Sequence, residues 1–269
     1  MNANARSLPS ALDRLPEIRE LARGRSLALF LDYDGTLTPI VSRPELAVLS
    51  EEMRERLRRL AASIPVSILS GRGLADLRAL VGLDELIYAG SHGFEIEAPG
   101  GRRQDLDEAL ALLPELGAAE QELIEALAET EGARVERKRF SVAAHYRLVD
   151  AERTADVRRA VTRVAAGHPG LRQASGKKVL ELRPALDWHK GKALLWVLGW
   201  LGLDSPDALP VFIGDDITDE DAFEAVAAQG IGVIVRDDAR PTAAGYALEN
   251  TAEVGKFLDV IEDLARSAE

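Results

Sequence analysis

The chain has 269 residues, enough to bury a sizeable core in one large domain or two smaller ones. A formal net charge of −12 argues against nucleic acid or anionic membrane as the main partner, and the absence of cysteine rules out disulfides and thiolate metal sites. No apolar run approaches transmembrane length, and residues 1–25 mix Arg, Asp and Glu without the apolar centre of a signal peptide, so a cytoplasmic location is the default expectation.

Residues 1–8 are expected to fray. Pro9 to Arg23 reads as a short amphipathic helix, with Leu12, Leu15, Ile18 and Leu21 near one face. Pro16 suits a first turn, which moves the regular part to about Asp13. Ser26 to Leu31 is a continuous apolar run, the pattern of a strand buried on both faces of a parallel sheet, and it ends in Asp32-Tyr33-Asp34-Gly35-Thr36. Ser50 is placed to cap a helix that carries Met53, Leu57 and Leu60 inward. Val66 to Leu69 is a second strand, ending in Ser70-Gly71-Arg72. After another helix, Leu86 to Ala89 is a third, ending in Gly90-Ser91-His92-Gly93. Strand alternating with helix indicates a parallel sheet.

The rhythm then changes. Phe94 to Gln104 reads as a hairpin turning at Pro99-Gly100-Gly101, followed by an acidic helix from about Glu115 to Glu131. Strands are expected at Arg134 to Arg137 and Ser141 to Arg147, a helix at Asp150 to Ala166, and strands at Leu171 to Ala174 and Val179 to Leu182. This is the layout of a small α/β module inserted into the first domain, with strand segments dense in Arg and Lys. The first rhythm resumes at Trp188. Lys190 to Leu201 is a helix with Leu194, Leu195, Val197 and Leu198 on its apolar face, and Pro210 to Ile213 is a strand ending in Gly214-Asp215-Asp216. A helix over Asp219 to Ala228, a strand over Ile231 to Val235 and a helix over Thr251 to Ala265 complete the chain. The expected boundaries are an N-terminal helical segment 1–25, a core domain of 26–105 and 185–269, and an inserted domain 106–184.

In open α/β sheets ligands bind just beyond the carboxyl ends of the strands, and two carboxylates stand there at Asp32 and Asp34. Hydrolysis of a phosphate ester needs a nucleophile, a proton donor for the leaving oxygen and positive charge on the phosphoryl group. Asp32 suits the first role, because a carboxylate can form an aspartyl-phosphate. Asp34 suits the second as general acid and then base. Ser70 offers a hydroxyl to a phosphate oxygen, and Arg72 a charge nearby. Lys190 opens a helix, where it can screen Asp32 and the phosphate from one another. Five acids between Asp215 and Asp221 repel one another and call for a cation; Mg²⁺ accepts such oxygen ligands. Asp32, Asp215 and the backbone carbonyl of Asp34 are the expected metal ligands, with Asp219 and Asp216 standing behind them. His92, His145, His168 and His189 show no metal-ligand spacing.

The order Asp32/Asp34, Ser70, Lys190, Asp215/Asp219 resembles the four motifs of the haloacid dehalogenase superfamily. Asp-Tyr-Asp-Gly-Thr-Leu-Thr-Pro-Ile, Leu-Ser-Gly-Arg, Gly-Ser-His-Gly, Gly-Lys-Lys-Val-Leu-Glu-Leu-Arg-Pro, Trp188 to Gly191 and Gly-Asp-Asp-Ile-Thr-Asp-Glu-Asp-Ala-Phe extend the resemblance to its trehalose-6-phosphate phosphatase family, from Leu27 to about Leu264. The resemblance implies an α/β fold: a Rossmann-like parallel-sheet core of the haloacid dehalogenase type with an inserted small α/β cap. It implies an Mg²⁺-dependent enzyme acting on a small-molecule sugar phosphate, a stand-alone form without a synthase domain, with a monomer favoured. It also implies substrate contacts from Arg72, His92, Gly93, His145, Arg147, Glu181 and one of Lys177 and Lys178. Arg139, where many relatives carry Lys, is a further substrate candidate. A phosphatase of sucrose phosphate or mannosylglycerate phosphate is the nearer rival; a silent sugar-phosphate-binding or synthase-binding relative is the more distant one.

Overall fold

The computed structural model describes residues 3–41, 43–176, 178–236 and 239–267. The chain forms two compact units, Met1–Gln104 with Trp188–Glu269, and Asp105–Asp187. In chain order the first unit begins with strand β1 (Ala3–Asn4), helix α1 (Leu15–Ala22), β2 (Ser26–Leu31), α2 (Glu51–Ala61), β3 (Val66–Leu69), α3 (Leu74–Val81), β4 (Ile87–Gly90), β5 (Glu95–Ala98) and β6 (Arg102–Asp105). The second unit carries α4 (Asp107–Leu110), α5 (Leu113–Leu127), β7 (Arg134–Lys138), β8 (Ser141–His145), α6 (Thr154–Gly167), β9 (Leu171–Gly176) and β10 (Val179–Pro184). The first unit resumes with α7 (Lys190–Leu201), β11 (Ala208–Gly214), α8 (Glu220–Val226), β12 (Ile231–Val235), β13 (Pro241–Thr242), β14 (Tyr246–Leu248) and α9 (Thr251–Ser267).

An eight-stranded sheet in the order β14-β12-β11-β2-β3-β4-β5-β6 forms the centre of the first unit. Its first six strands are parallel, and β5 joins β4 antiparallel. Side chains alternate along β2 as they must in a pleated strand. Leu27, Leu29 and Leu31 pack into one apolar layer with α2, α3 and α9, while Ala28 and Phe30 pack into the other with α7 and α8. Because both faces are covered, β2 reads as an unbroken apolar run. Its neighbours are β3 on one side and β11 on the other, so the strand order reverses at β2. That reversal opens a crevice beyond its carboxyl end.

The second unit is an antiparallel sheet, β7-β8-β10-β9, with α5 and α6 on one face. Leu180 and Leu182 of β10 join Val142 and Ala144 of β8 in that core. The opposite face carries Glu181, and the register places Ser141, Ala143 and His145 of β8 beside Lys138, Glu136 and Arg134 of β7 on the same side.

Several expectations are corrected. Residues 3–8 are tied down: β1 pairs with β13, and Ala5 and Leu8 are buried. The Arg236 guanidinium donates to the carbonyls of Ala5 and Leu8, contacts more than two hundred positions apart that no local pattern encodes. The first helix starts at Leu15, after a tight turn over Ala11–Arg14 that Ser10 caps. From that start Ile18 and Ala22 point inward and Leu21 is exposed. On α7 the inward face is Ala193, Leu194, Val197 and Leu198, which leaves Leu195 exposed. The β8 strand stops at His145, where the chain turns. No helix among the described residues is long and apolar enough to cross a membrane.

Candidate active site

Asp32 follows the last residue of β2 and is 5% exposed; its backbone N–H donates to Ile213 O at 2.9 Å, which ties it to β11. The next turn depends on Gly35. Its φ is +88°, and a side-chain carbon there would lie 2.0 Å from Asp215 Oδ2. Only glycine lets the first acidic segment approach the carboxylate that ends β11. Lys190, the first residue of α7, reaches between two acids and donates from Nζ to Asp32 Oδ1 at 2.5 Å and to Asp219 Oδ1 at 2.6 Å. All three residues are buried. Burial alone would lower the Lys190 ammonium, but Asp219 and Asp32 outweigh it and hold the charge firmly on.

The two carboxyls at the strand ends are both shifted upward. Burial, then the neighbouring acids against the pull of Lys190, pushes Asp32 up to about 7. Burial, then Asp32, Asp219 and Asp216, pushes Asp215 up to about 9. Both ionise reluctantly because negative charge has been packed together out of water. Asp215 Oδ1 is buried and has no hydrogen-bond partner among the described residues. An orphaned carboxylate oxygen beside a second strained carboxylate is what a cation would satisfy. Asp32, Asp215 and Asp219 offer oxygens within 4.8 Å of one another, so this group could hold a metal ion. Asp219 has the least to give. Its Oδ1 takes Lys190, and its Oδ2 accepts the backbone N–H groups of Asp215 and Asp216, each at 3.0 Å. Asp216 is more exposed, and its carboxylate caps the turn Ile217–Asp219 by accepting from Ile217 N at 2.7 Å.

Ser70 is buried at the end of β3, and its Oγ accepts from Arg72 N at 3.2 Å. Asp34 is bound by Arg72 through both carboxylate oxygens, at 2.6 and 2.7 Å. His92 N donates to Ser70 O at 2.9 Å, and Gly93 turns at φ +92° against Ala193 of α7, where a side-chain carbon would come within 2.3 Å. Asp32, Asp34, Ser70, Arg72, His92, Gly93, Lys190, Asp215 and Asp219 therefore all lie at the carboxyl-end loops of one sheet.

The remaining candidates belong to the second unit. Glu181 accepts from Ser141 Oγ at 2.6 Å, and the Lys138 ammonium lies 3.8 Å from it. His145 Nε2 is 2.8 Å from Glu136 Oε2. Lys178 sits before β10 at φ +67°, in the hairpin turn, with its ammonium over the Tyr146 ring. Arg139 forms a two-pronged pair with Asp105 at 2.6 and 2.9 Å. Arg147 adjoins the exposed Leu148, and Lys177 lies outside the described residues. Ser141, Lys138 and Glu136, which share the open sheet face with Glu181 and His145, were missed in sequence. Period-two alternation along Arg134–Lys138 and Ser141–His145 could have found them.

A trehalose-phosphatase family model matches residues 30–252, a span that includes every acid of the site and Lys190. The chain belongs to the trehalose-phosphatase family. It is 45% identical over 265 residues to a trehalose-phosphate phosphatase of Mycobacterium tuberculosis, covering 97% of this chain and 67% of that one. It is 42% identical over 261 residues to probable trehalose-phosphate phosphatase D of Arabidopsis thaliana, covering 93% of this chain and 71% of that one. Among solved structures, trehalose-6-phosphate phosphatase of Aspergillus fumigatus superposes with a TM-score of 0.68 at 30% identity, covering 97% of this chain and all of that one (100%). A haloacid dehalogenase-like hydrolase from Bacteroides thetaiotaomicron shares the fold, with a TM-score of 0.64 at 18% identity, over 88% of this chain and 99% of that one. The trehalose-phosphatase family thus uses here a haloacid dehalogenase-type parallel-sheet core.

Proposed function

We propose that the protein hydrolyses trehalose 6-phosphate to trehalose and inorganic phosphate through a phosphoryl group carried on Asp32. One observation carries the reading: Lys190 bridges Asp32 Oδ1 and Asp219 and leaves Asp32 Oδ2 to attack phosphorus. As the Asp32–phosphorus bond forms, the bond to the sugar oxygen breaks and Asp34 supplies that oxygen with a proton. Asp34 then takes a proton from the water that cleaves the aspartyl-phosphate. Lys190 and the hydroxyl of Ser70 offset charge on the phosphoryl oxygens. Mg²⁺ is the proposed cation, held by Asp32, Asp215 and the Asp34 carbonyl; when bound it supplies positive charge to the phosphoryl group and the two acids.

The phosphate machinery would serve almost any monoester, so the sugar must be chosen elsewhere. The helix-free face of the second unit, with Glu181, Lys138, Glu136 and His145, is the proposed sugar-reading surface, joined by Arg139, Arg147 and one of Lys177 and Lys178. A carboxylate accepts from two sugar hydroxyls at once, and a site built on such bonds rejects ligands that lack them.

Phosphate release from trehalose 6-phosphate beside sucrose 6-phosphate, mannosylglycerate phosphate, glucose 6-phosphate and p-nitrophenyl phosphate tests the assignment. Trehalose 6-phosphate should lead in kcat/KM by at least about 10-fold, the value of one sugar hydrogen bond. Preference for another sugar phosphate would transfer the substrate and keep the chemistry. No turnover of any ester would overturn both.

A further inference from the structure

Arg72 stands where a cation for the phosphate is expected, but its guanidinium is committed elsewhere. Nε donates to Asp34 Oδ2 at 2.6 Å and Nη2 to Asp34 Oδ1 at 2.7 Å. Nη2 also donates to Pro44 O at 2.9 Å, and Nη1 to Asp76 Oδ2 at 3.0 Å. Four of its five N–H groups are thereby used, and the planar group lies over the Tyr33 ring, 5.4 Å from its centroid. The side chain is only 10% exposed.

The base of Arg72 is clamped as firmly. Its N–H donates to Ser70 Oγ at 3.2 Å, and its carbonyl accepts from Ser91 N at 2.6 Å. Ser91 and His92 adopt left-handed backbone at φ 51° and 59°, a strained conformation for a non-glycine residue. The strained turn holds the loop from which Arg72 reaches, and Ser91 Oγ secures it by donating to Glu95 Oε1 at 2.9 Å.

The geometry points to Arg72 as the positioning residue for Asp34: its two-pronged grip fixes the carboxyl group that hands the proton to the leaving oxygen, rather than binding the phosphate. A carboxylate oxygen has two lone-pair directions, so the fork leaves one on each oxygen for the reaction. The inference rests on the proposed function only for the role of Asp34. In that step the Asp32–phosphorus bond forms and the phosphorus–oxygen bond to the alcohol breaks. Its electron pair stays on the leaving oxygen, and the proton passes to that oxygen from Asp34. A misplaced Asp34 slows the step in proportion to the leaving group's need. A sugar alkoxide needs the proton; p-nitrophenolate hardly does.

The test uses the full chain with Mg²⁺ and the variants Arg72→Lys and Arg72→Met. Lysine keeps a charge but not the fork. The readout is kcat/KM, which ends at alcohol release and omits the later attack of water, on trehalose 6-phosphate and on p-nitrophenyl phosphate. Inhibition by inorganic phosphate is measured beside it. Both variants should lose about 100-fold or more on the sugar ester and less than about threefold on the aryl ester, the range of a lost general acid. Phosphate inhibition should hold within about twofold, and Arg72→Lys should add nothing to an Asp34→Asn background. Equal losses on both esters with weakened phosphate inhibition would make Arg72 a phosphate ligand and overturn the proposal. Additive losses with Asp34→Asn would overturn it too. If Arg72→Met melts early, Arg72→Lys decides. If Asp34→Asn itself shows no leaving-group dependence, the role of Asp34 fails; if trehalose 6-phosphate is not turned over, glucose 6-phosphate serves as the alkyl ester and Arg72 is still judged.

Discussion

Asp219 has no exposed surface and accepts from three donors, Lys190 Nζ and the backbone N–H groups of Asp215 and Asp216. Asp219→Asn keeps the shape but leaves one acceptor oxygen for those three donors and places an amide against one of them. A broken buried pair of this kind should cost about 3–5 kcal/mol in urea unfolding. A loss below about 1 kcal/mol, the level of an exposed pair, would contradict the buried bridge. Asp32→Asn is different in kind. It should leave the fold intact and lower phosphate release by many factors of ten, because a lost nucleophile removes several kcal/mol of barrier reduction. Retention of more than about a tenth of the rate would remove Asp32 from that role. At this scale the sequence is informative where residue type and strand end coincide, as at Asp32 and Asp215. It is silent on which donor meets which acceptor. Nothing local tells Arg72 apart from a phosphate ligand, because Asp34 is 38 positions away.

Elements with an unbroken pattern are legible: Val66–Leu69 and Ile231–Val235 occur where their apolar runs stand, and α2 begins after Ser50, whose side chain accepts from Met53 N at 3.2 Å. Elements of two or three residues are not. β1, β13 and β14 carry too few side chains to show a period, and each exists because a distant partner supplies its hydrogen bonds. The β10 strand shows both sides of this. Its alternation puts Leu180 and Leu182 into the core and Glu181 on the open face, yet its pairing to Ser141 comes from the register with β8. Glu181→Ala should lower kcat/KM for trehalose 6-phosphate by at least about tenfold, one hydrogen bond of about 1.4 kcal/mol. Hydrolysis of a small aryl phosphate, which offers no sugar hydroxyls, should barely change. Equal loss on both would mean that Glu181 serves the second unit's own structure through Ser141 and Lys138.

For the whole molecule, the acid cluster makes stability depend on pH, and the proposed cation would link its own binding to folding. Asp32 and Asp215 are raised in the fold, to about 7 and about 9, from an ordinary carboxyl value of 3.8. A raised carboxyl binds its proton more tightly when folded, so its stabilisation is complete below the ordinary value and is lost as pH rises through the raised one. The melting temperature of chelator-treated protein should therefore fall as pH climbs from about 4 through 7 to 9. Added Mg²⁺ should restore it most at the alkaline end, where both ligands are ionised. A melting temperature flat across that range, or Mg²⁺ stabilisation strongest at acid pH, would contradict the site. Chelation should also stop turnover, and Ca²⁺ should replace Mg²⁺ poorly because its coordination is longer and looser. The sequence by itself determined the alternating α/β order, the inserted module and the acids that stand at the strand ends, because buried strands and their polar ends are written locally in apolar runs and breaks. The tertiary structure decided the partners: Lys190 between Asp32 and Asp219, Arg72 on Asp34, Glu181 on Ser141 and the tethered first residues. Those pairings join positions far apart in the chain, and only sheet register and close packing bring them within hydrogen-bond distance.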